Sequence, residues 1–354
     1  MSVTAFMETA GILDRSKRVK MTATGDQALW FLDQLVTNQV VTLEAGQGLE
    51  AMLLTPRGRI TAVMRILSGG RAAFVDFDPP GPKDLVSFFQ SRVFATRVEV
   101  ADSTERLGII SVLGPRADEI VRSALLSRAH AESEEARSLG WPLPGEQEHA
   151  SAHFGIGALV RVRRPVSGLD LWLARTEVEA TIAALEDGGG ERASEEEYEA
   201  LRVLAGLPRF GVDFDEGYLP QEAAMERAVH FQKGCYLGQE AVAMAQRGRV
   251  KRRLRHLCFE KTPFIGEIFR MGEQMGRVTS IAAGFSGSEG YGIATIKTSV
   301  EVGAEVEVTD ASEGNRARAV VLELPGTVEG PKLPSARELR ERIQGAAAPR
   351  RPER

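Results

Sequence analysis

Thiols are scarce in this chain: Cys235 and Cys258 are the only two cysteines among 354 residues. Two lone cysteines give neither a disulfide framework nor a C-x-x-C pair, which fits a reducing compartment and argues against a protein-only zinc or iron–sulfur site; no metal ligands are expected. The five histidines form no H-E-x-x-H spacing. The glycines spell neither G-x-x-x-x-G-K-[ST] nor G-x-G-x-x-G, so dedicated nucleoside triphosphate and dinucleotide sites lack support. No apolar run approaches the roughly 18 residues a membrane-spanning helix needs, and no basic-then-apolar leader opens the chain, so the expectation is a soluble cytoplasmic protein with no membrane partner. A surplus of positive charge is missing too. The formal net charge of −5 removes the basic surface that general nucleic-acid binding leans on.

Apolar periodicity is plentiful. "TGDQALWFLDQLVTN" places Leu29, Phe31, Leu32, Leu35 and Val36 on one helical face, with Thr24 or Asp26 as a cap. "EAMLLT", "ITAVMRIL" and "RAAFVDF" then read as a three-stranded meander. "DLVSFFQSRVF" reads as a helix, "RVEVAD" and "GIISVLG" as strands, and "PRADEIVRSALL" as a helix with proline in its first turn. A polar stretch from Ala131 to Ala152 predicts a long surface connection. Strands "ALVRVRR" and "LDLWLAR" follow, and a helix runs from about Ser194 to Ala205. Past residue 250, five short apolar runs separated by glycine predict a small all-β unit, a barrel. The organisation expected is α+β, with two interleaved units over 1–246, the barrel over 250–325 and a disordered tail over 331–354.

The chemistry concentrates in "HFQKGCYLGQE". Lys233 stands two residues before Cys235, and "LGQEAVAMAQ" has the composition of a helix whose N-terminus favours a thiolate. Gly234 and Gly238 suit a thiol presented on a turn. From these local features alone, an activated thiol and a small packing residue stand level for Cys235, whereas Cys258 in "RHLCFE" alternates with apolar neighbours and reads as buried. The dense basic run Arg247, Arg249, Lys251, Arg252, Arg253 and Arg255 reads first as a solvated linker or an anchor for carboxylates, and second as a direct RNA contact.

"KGCYLGQE" resembles the K-G-C-Y-x-G-Q-E signature of the YgfZ-type folate-binding proteins and their iron–sulfur assembly relatives. "FLDQLVTNQV" and "LAGLPRFGVDFDEGYLPQEAAMERAVHFQKG" resemble the wider superfamily of the glycine-cleavage T-protein, an aminomethyltransferase, so the likeness covers roughly residues 8 to 325. It implies a ring of α+β units with a small C-terminal β-barrel around a central folate-binding channel. The implied cofactor is tetrahydrofolate or a derivative. The implied activity is support of iron–sulfur cluster assembly and of iron–sulfur-dependent tRNA modification, with reduced folate and iron–sulfur enzymes or assembly factors as partners. On this likeness Cys235 is the functional thiol, biased toward thiolate by Lys233. Gly234, Tyr236, Gly238, Gln239 and Glu240 shape the turn or meet a partner, and Arg59, Asp170 and Glu222 are folate-contact candidates. For Asp170 the alternative is an ordinary strand residue on the solvent face, for Arg59 a solvated turn, and for Glu222 a structural hydrogen bond. T-proteins carry an acidic pair where "RGRITAV" here presents Thr61 and Ala62, which counts against one-carbon transfer. Tetrahydrofolate-dependent aminomethyl transfer or demethylation is therefore the alternative.

Overall fold

The computed structural model describes residues 3–326 except 79–83, 95, 133–142, 155–156, 249, 285–288, 311 and 313. The expected tail over 331–354, the middle of the Ala131–Ala152 connection and Arg249 lie outside the described residues. After a short helix α1 (Thr4–Glu8), strand β1 (Gly11–Asp14) enters one sheet and β2 (Val19–Thr24) another. Helix α2 (Ala28–Asp33) has no side-chain cap. Thr24 instead ends β2, and Asp26 pairs with Arg71 at the surface. The meander is β3 (Gly48–Leu54), β4 (Ile60–Ser68) and β5 (Ala72–Phe77); with β2 and β6 (Glu99–Asp102) it forms an antiparallel sheet in the order β3-β4-β5-β2-β6. Helices α2 and α3 (Leu85–Gln90) cover its apolar face, where Phe31 and Phe89 meet edge to face.

The second sheet comprises β1, β7 (Leu107–Leu113), β8 (Ser151–Phe154), β9 (Gly157–Val162), β10 (Gly168–Ala174) and β11 (Glu191–Arg192), in the order β11-β1-β7-β10-β9-β8. Helices α4 (Ala117–Glu132) and α5 (Val178–Asp187) bury Val121, Ile182 and Leu185 against it. Helix α6 (Glu195–Leu204) begins with a capping box in which Ser194 and Glu197 satisfy each other's backbone amides, as the run of serine and glutamates favours. Helix α7 (Gln239–Arg247) follows an irregular stretch and leads into a closed barrel of six strands, β12 (Arg252–Phe259), β13 (Glu267–Arg270), β14 (Glu273–Ala283), β15 (Gly290–Lys297), β16 (Glu305–Asp310) and β17 (Asn315–Leu322). The barrel packs on the body through the largest apolar cluster, which joins Leu254, Cys258 and Ile293 to Leu201, Phe214 and Tyr218. Cys258 is fully buried there.

Charged side chains of both sheets point inward rather than to water. Arg65 of β4 and Asp76 of β5 face Asp170 of β10 across the gap between the sheets. These interior charges mark the centre of the molecule.

Candidate functional site

The sequence-expected site residues fall into three separate places. At the first, Cys235 is an exposed free thiol on the turn before α7. Lys233 turns the other way. Its Nζ donates to the carbonyls of Asp33 (2.6 Å), Val36 (3.0 Å) and Asn38 (2.8 Å) and lies 3.3 Å from the Asp33 carboxylate. Burial pushes this ammonium's pKa down, and Asp33 opposes the shift. All three ammonium protons thus serve the chain just after α2, where helix-end carbonyls need donors, and the thiolate-biasing contact expected from sequence spacing is not among these bonds. Tyr236 is buried in the main apolar cluster, with its ring 5.7 Å from the lysine nitrogen. Gln239 donates to the Lys233 carbonyl at 3.4 Å and closes the turn, while Glu240 is exposed.

The two motif glycines differ. Gly238 has φ +83, and a Cβ there would meet the Thr55 carbonyl oxygen at 2.5 Å and the Gly58 Cα at 2.9 Å. Gly58, at φ +72, has equally little room, since its own Cβ would lie 2.8 Å from Ala241. The β3–β4 hairpin tip therefore docks on the start of α7 by glycine-to-glycine contact, which only residues without a Cβ permit. Gly234 has ordinary φ and open space around it, so its lack of a side chain leaves the approach to Cys235 clear.

At the second place, Arg59 and Glu222 come together. Arg59 Nη1 donates to Glu222 Oε2 (2.9 Å) and to the Gly217 carbonyl (2.8 Å), while Arg252 lies 3.4 Å from the same carboxylate, over the Tyr218 ring. The Leu219 amide also donates to Glu222 at 3.0 Å. Glu222 is thus fully engaged in holding the hairpin, the 215–222 loop and the barrel together. Of the basic run, Arg253 pairs with Glu226 and Arg255 with Glu323, alongside the Arg252 contact. The carboxylate-anchoring reading describes these three.

The third place is a central cavity of about 950 Å³, counted with its open mouth, where both sheets, α6 and the 207–227 stretch converge. Its lining combines the apolar or aromatic side chains of Tyr198, Phe210, Phe214 and Met225 with charged ones, and Arg15 lies 4.4 Å from the Tyr198 ring centroid. Asp170 sits there. It is buried, accepting from Arg65 Nη1 (2.6 Å) and Ser111 Oγ (2.6 Å), which corrects the expectation of a solvent-facing strand residue. Arg65 also holds Asp76 through two hydrogen bonds (2.8 and 3.2 Å), and Arg18 reaches Asp76 at 2.5 Å. Burial alone pushes the Asp76 carboxyl up, but Arg18 and Arg65 outweigh it and hold it below the usual carboxylate range. Glu50 follows the same logic: burial raises it, Arg227 and Arg164 lower it, and the balance leaves it at about 2. His149 also lines the cavity, with both ring nitrogens buried and without a hydrogen-bond partner.

Arg59 and Glu222 are not cavity residues, so of the three expected folate contacts only Asp170 lies there. Arg18, Glu50, Arg65, His149 and Arg164 were not singled out from the sequence. A signal for some of them exists: charges inside "GLEAMLL", "ITAVMRIL", "AAFVDF" and "LDLWL" interrupt apolar strands, and buried charges persist only when paired. Among the described residues no group of three or more metal-ligating side chains occurs, and no helix is long and apolar enough to cross a membrane.

The fold matches that of a known aminomethyltransferase. Glycine cleavage system aminomethyltransferase T from Bartonella henselae superposes with a TM-score of 0.77 at 20% identity, over 91% of this chain and 88% of that one. In sequence, residues 2–139 match the GCVT N-terminal domain family model. The aminomethyltransferase of Moorella thermoacetica is 26% identical over 326 residues, 88% of this chain and 86% of its own length. A chloroplastic protein of Arabidopsis thaliana is 24% identical over 337 residues, 91% of this chain and 72% of that protein.

Proposed function

We propose that the protein binds tetrahydrofolate or a derivative in its central cavity and supports the assembly or maintenance of iron–sulfur enzymes, among them tRNA-modifying ones, through the exposed Cys235 thiol. The observation that carries the folate reading is the cavity itself, whose lining combines aromatic and apolar side chains with hydrogen-bonding and charged groups. A reduced folate has matching parts, a flat heterocycle with donor and acceptor edges and an anionic tail. Tyr198, Phe210, Phe214 and Met225 would hold the flat parts, and guanidiniums such as Arg164 and Arg227 would meet the carboxylates. Such a ligand supplies a carrier for one-carbon units. Cys235 lies elsewhere, in a segment that also exposes Phe231, Leu237 and Met244, so a protein partner would have both a thiol and apolar surface to meet. The iron–sulfur part rests on the likeness of "KGCYLGQE" to the YgfZ-type signature.

A second reading, folate-dependent one-carbon transfer, is favoured by the relatives named aminomethyltransferases. Its weakness is the shortage of a base. The cavity carboxylates Glu50, Asp78, Glu148 and Asp170 are all paired with arginines, and Glu50 at about 2 is a poor proton acceptor near neutral pH.

Calorimetry with tetrahydrofolate and its 5-formyl derivative tests the binding step, with a dissociation constant in the micromolar range, about −8 kcal/mol, as the expected result. Absence of heat with either ligand at millimolar concentration would remove the folate reading. In a strain lacking its own protein of this type, Cys235→Ala is expected to fold and bind folate normally yet fail to restore iron–sulfur enzyme activity. Full rescue at native expression level would make the thiol dispensable. Turnover of an aminomethylated substrate with stoichiometric folate product would instead establish the second reading.

A further inference from the structure

The charged lining of the cavity is saturated. Arg15 pairs with Asp78 at 2.8 Å, Arg18 with Asp76 at 2.5 Å, Arg65 with Asp76 and Asp170, Arg164 with Glu148 at 2.7 Å, Arg209 with Glu199 at 2.6 Å and Arg227 with Glu50 at 2.6 Å. Each cavity arginine therefore already has a carboxylate. His149 is the exception. Its Nδ1 and Nε2 are both buried without a partner, while its backbone amide is fixed to the Arg161 carbonyl at 2.9 Å. The same residue has φ +65, a left-handed conformation that costs a non-glycine residue about 1 kcal/mol or more. A buried polar group left unpaired also costs stability. Two unfavourable features thus coincide at one residue on the wall of the candidate binding cavity.

We propose that His149 reads the ligand, offering one donor and one acceptor to an uncharged heterocyclic edge. Resting on the folate reading above, that edge is the pterin, whose ring carries amide-like and amino groups of the required kinds. A neutral imidazole presents one N–H and one lone pair. Burial first, and Arg65 second, push the His149 pKa below its ordinary value, with Glu50 and Glu148 opposing and Arg164 adding to the push. The imidazole is therefore neutral at pH 7. A ligand that supplies the missing partners would remove the cost of the two unpaired ring nitrogens.

Two variants test this. His149→Phe keeps the ring shape and the Cβ while removing both hydrogen-bonding atoms; His149→Gln keeps one donor and one acceptor. Calorimetry with tetrahydrofolate and melting of the ligand-free proteins are the readouts. For the Phe variant, the ligand-free melting temperature is expected to hold or rise, since an orphaned polar pair is gone, while the dissociation constant rises at least tenfold. The Gln variant is expected to recover part of that affinity. A merely structural histidine would give the opposite pattern, a lower melting temperature with unchanged affinity. If wild type binds tetrahydrofolate and the Phe variant binds it equally well, the His149 proposal fails while the folate reading stands. If wild type binds no reduced folate, that reading fails, and the melting temperatures alone decide: a stabilised Phe variant still marks His149 as held for a ligand, and a destabilised one overturns it.

Discussion

The cavity and the Cys235 turn solve opposite problems. In the cavity, charges are drawn inward and tied to one another, so that Arg18, Asp76, Arg65 and Asp170 form one buried chain of ion pairs linking the two sheets. At the turn, the one group with covalent chemistry is left outside, and the charge beside it in sequence, Lys233, is spent underneath on the carbonyls after α2. Residues adjacent in a motif need not share a task. Cys235 faces the solvent, Tyr236 and Lys233 anchor, Gln239 closes the turn, and Gly238 admits the hairpin.

The sharpest way to break this contrast is to remove a charge from the interior. Asp76→Ala leaves Arg18 and Arg65 without their shared carboxylate and is expected to cost about 3–5 kcal/mol in urea unfolding, as breaking a buried pair does. Cys235→Ala is expected to stay within about 0.5 kcal/mol of wild type. A loss below about 1 kcal/mol for Asp76→Ala would mean that water, not the partner carboxylates, solvates the interior arginines.

Acid should find the interior next. His256, fully enclosed and 2.8 Å from the Val203 carbonyl, is driven by burial to about 4, the carbonyl contact opposing. Between about pH 6.5 and pH 4 the unfolded chain then binds more protons than the folded one, so stability falls as pH is lowered through that window, by about 3 kcal/mol for this residue. The variant His256→Gln, compared with wild type across the same range, is expected to lose that part of the slope. Identical slopes would show that other groups carry it. Glu50 acts lower, with its contribution present above its ordinary pKa of 4.5 and lost as pH falls toward 2.

The smallest effects separate the two motif glycines. Gly238→Ala is expected to cost about 1–3 kcal/mol, because it puts a Cβ at positive φ against the Thr55 carbonyl. Gly234→Ala, with ordinary φ and free space, is expected to be neutral or to stabilise by up to about 1 kcal/mol by narrowing the unfolded ensemble. Equal melting temperatures for the pair would mean that the hairpin is not held by the glycine contact.

Much of this architecture is legible from local pattern. The meander, the boundaries of α6 and the barrel's long strands follow alternation and glycine punctuation, which short-range physics writes directly into sequence. Strands β1, β2, β8, β11 and β13 were not among those expected: β11 is two exposed residues paired in parallel with β1, and β13 buries only Ile268, so these two have no periodic signature. The site was harder. Asp170 looks like a strand residue facing water until Arg65, 105 positions earlier, is brought against it. Lys233 looks like a partner for Cys235 because both are close in sequence, whereas its real partners lie some two hundred positions upstream. Spacing finds turns and helices; it does not find contacts closed by the fold.

One feature of the connectivity bears on how the molecule is made. Strands β1 and β2 are consecutive yet enter different sheets, and β1 completes its pairing only with β7 and with Glu191–Arg192, far along the chain. Arg15 and Arg18, on the link between them, reach the cavity whose last lining residue is Arg227. The first wall pieces therefore leave the ribosome about two hundred residues, on the order of 10–40 s at usual synthesis rates, before the last ones. A ligand of this cavity would find its lining complete only after translation had passed the far side.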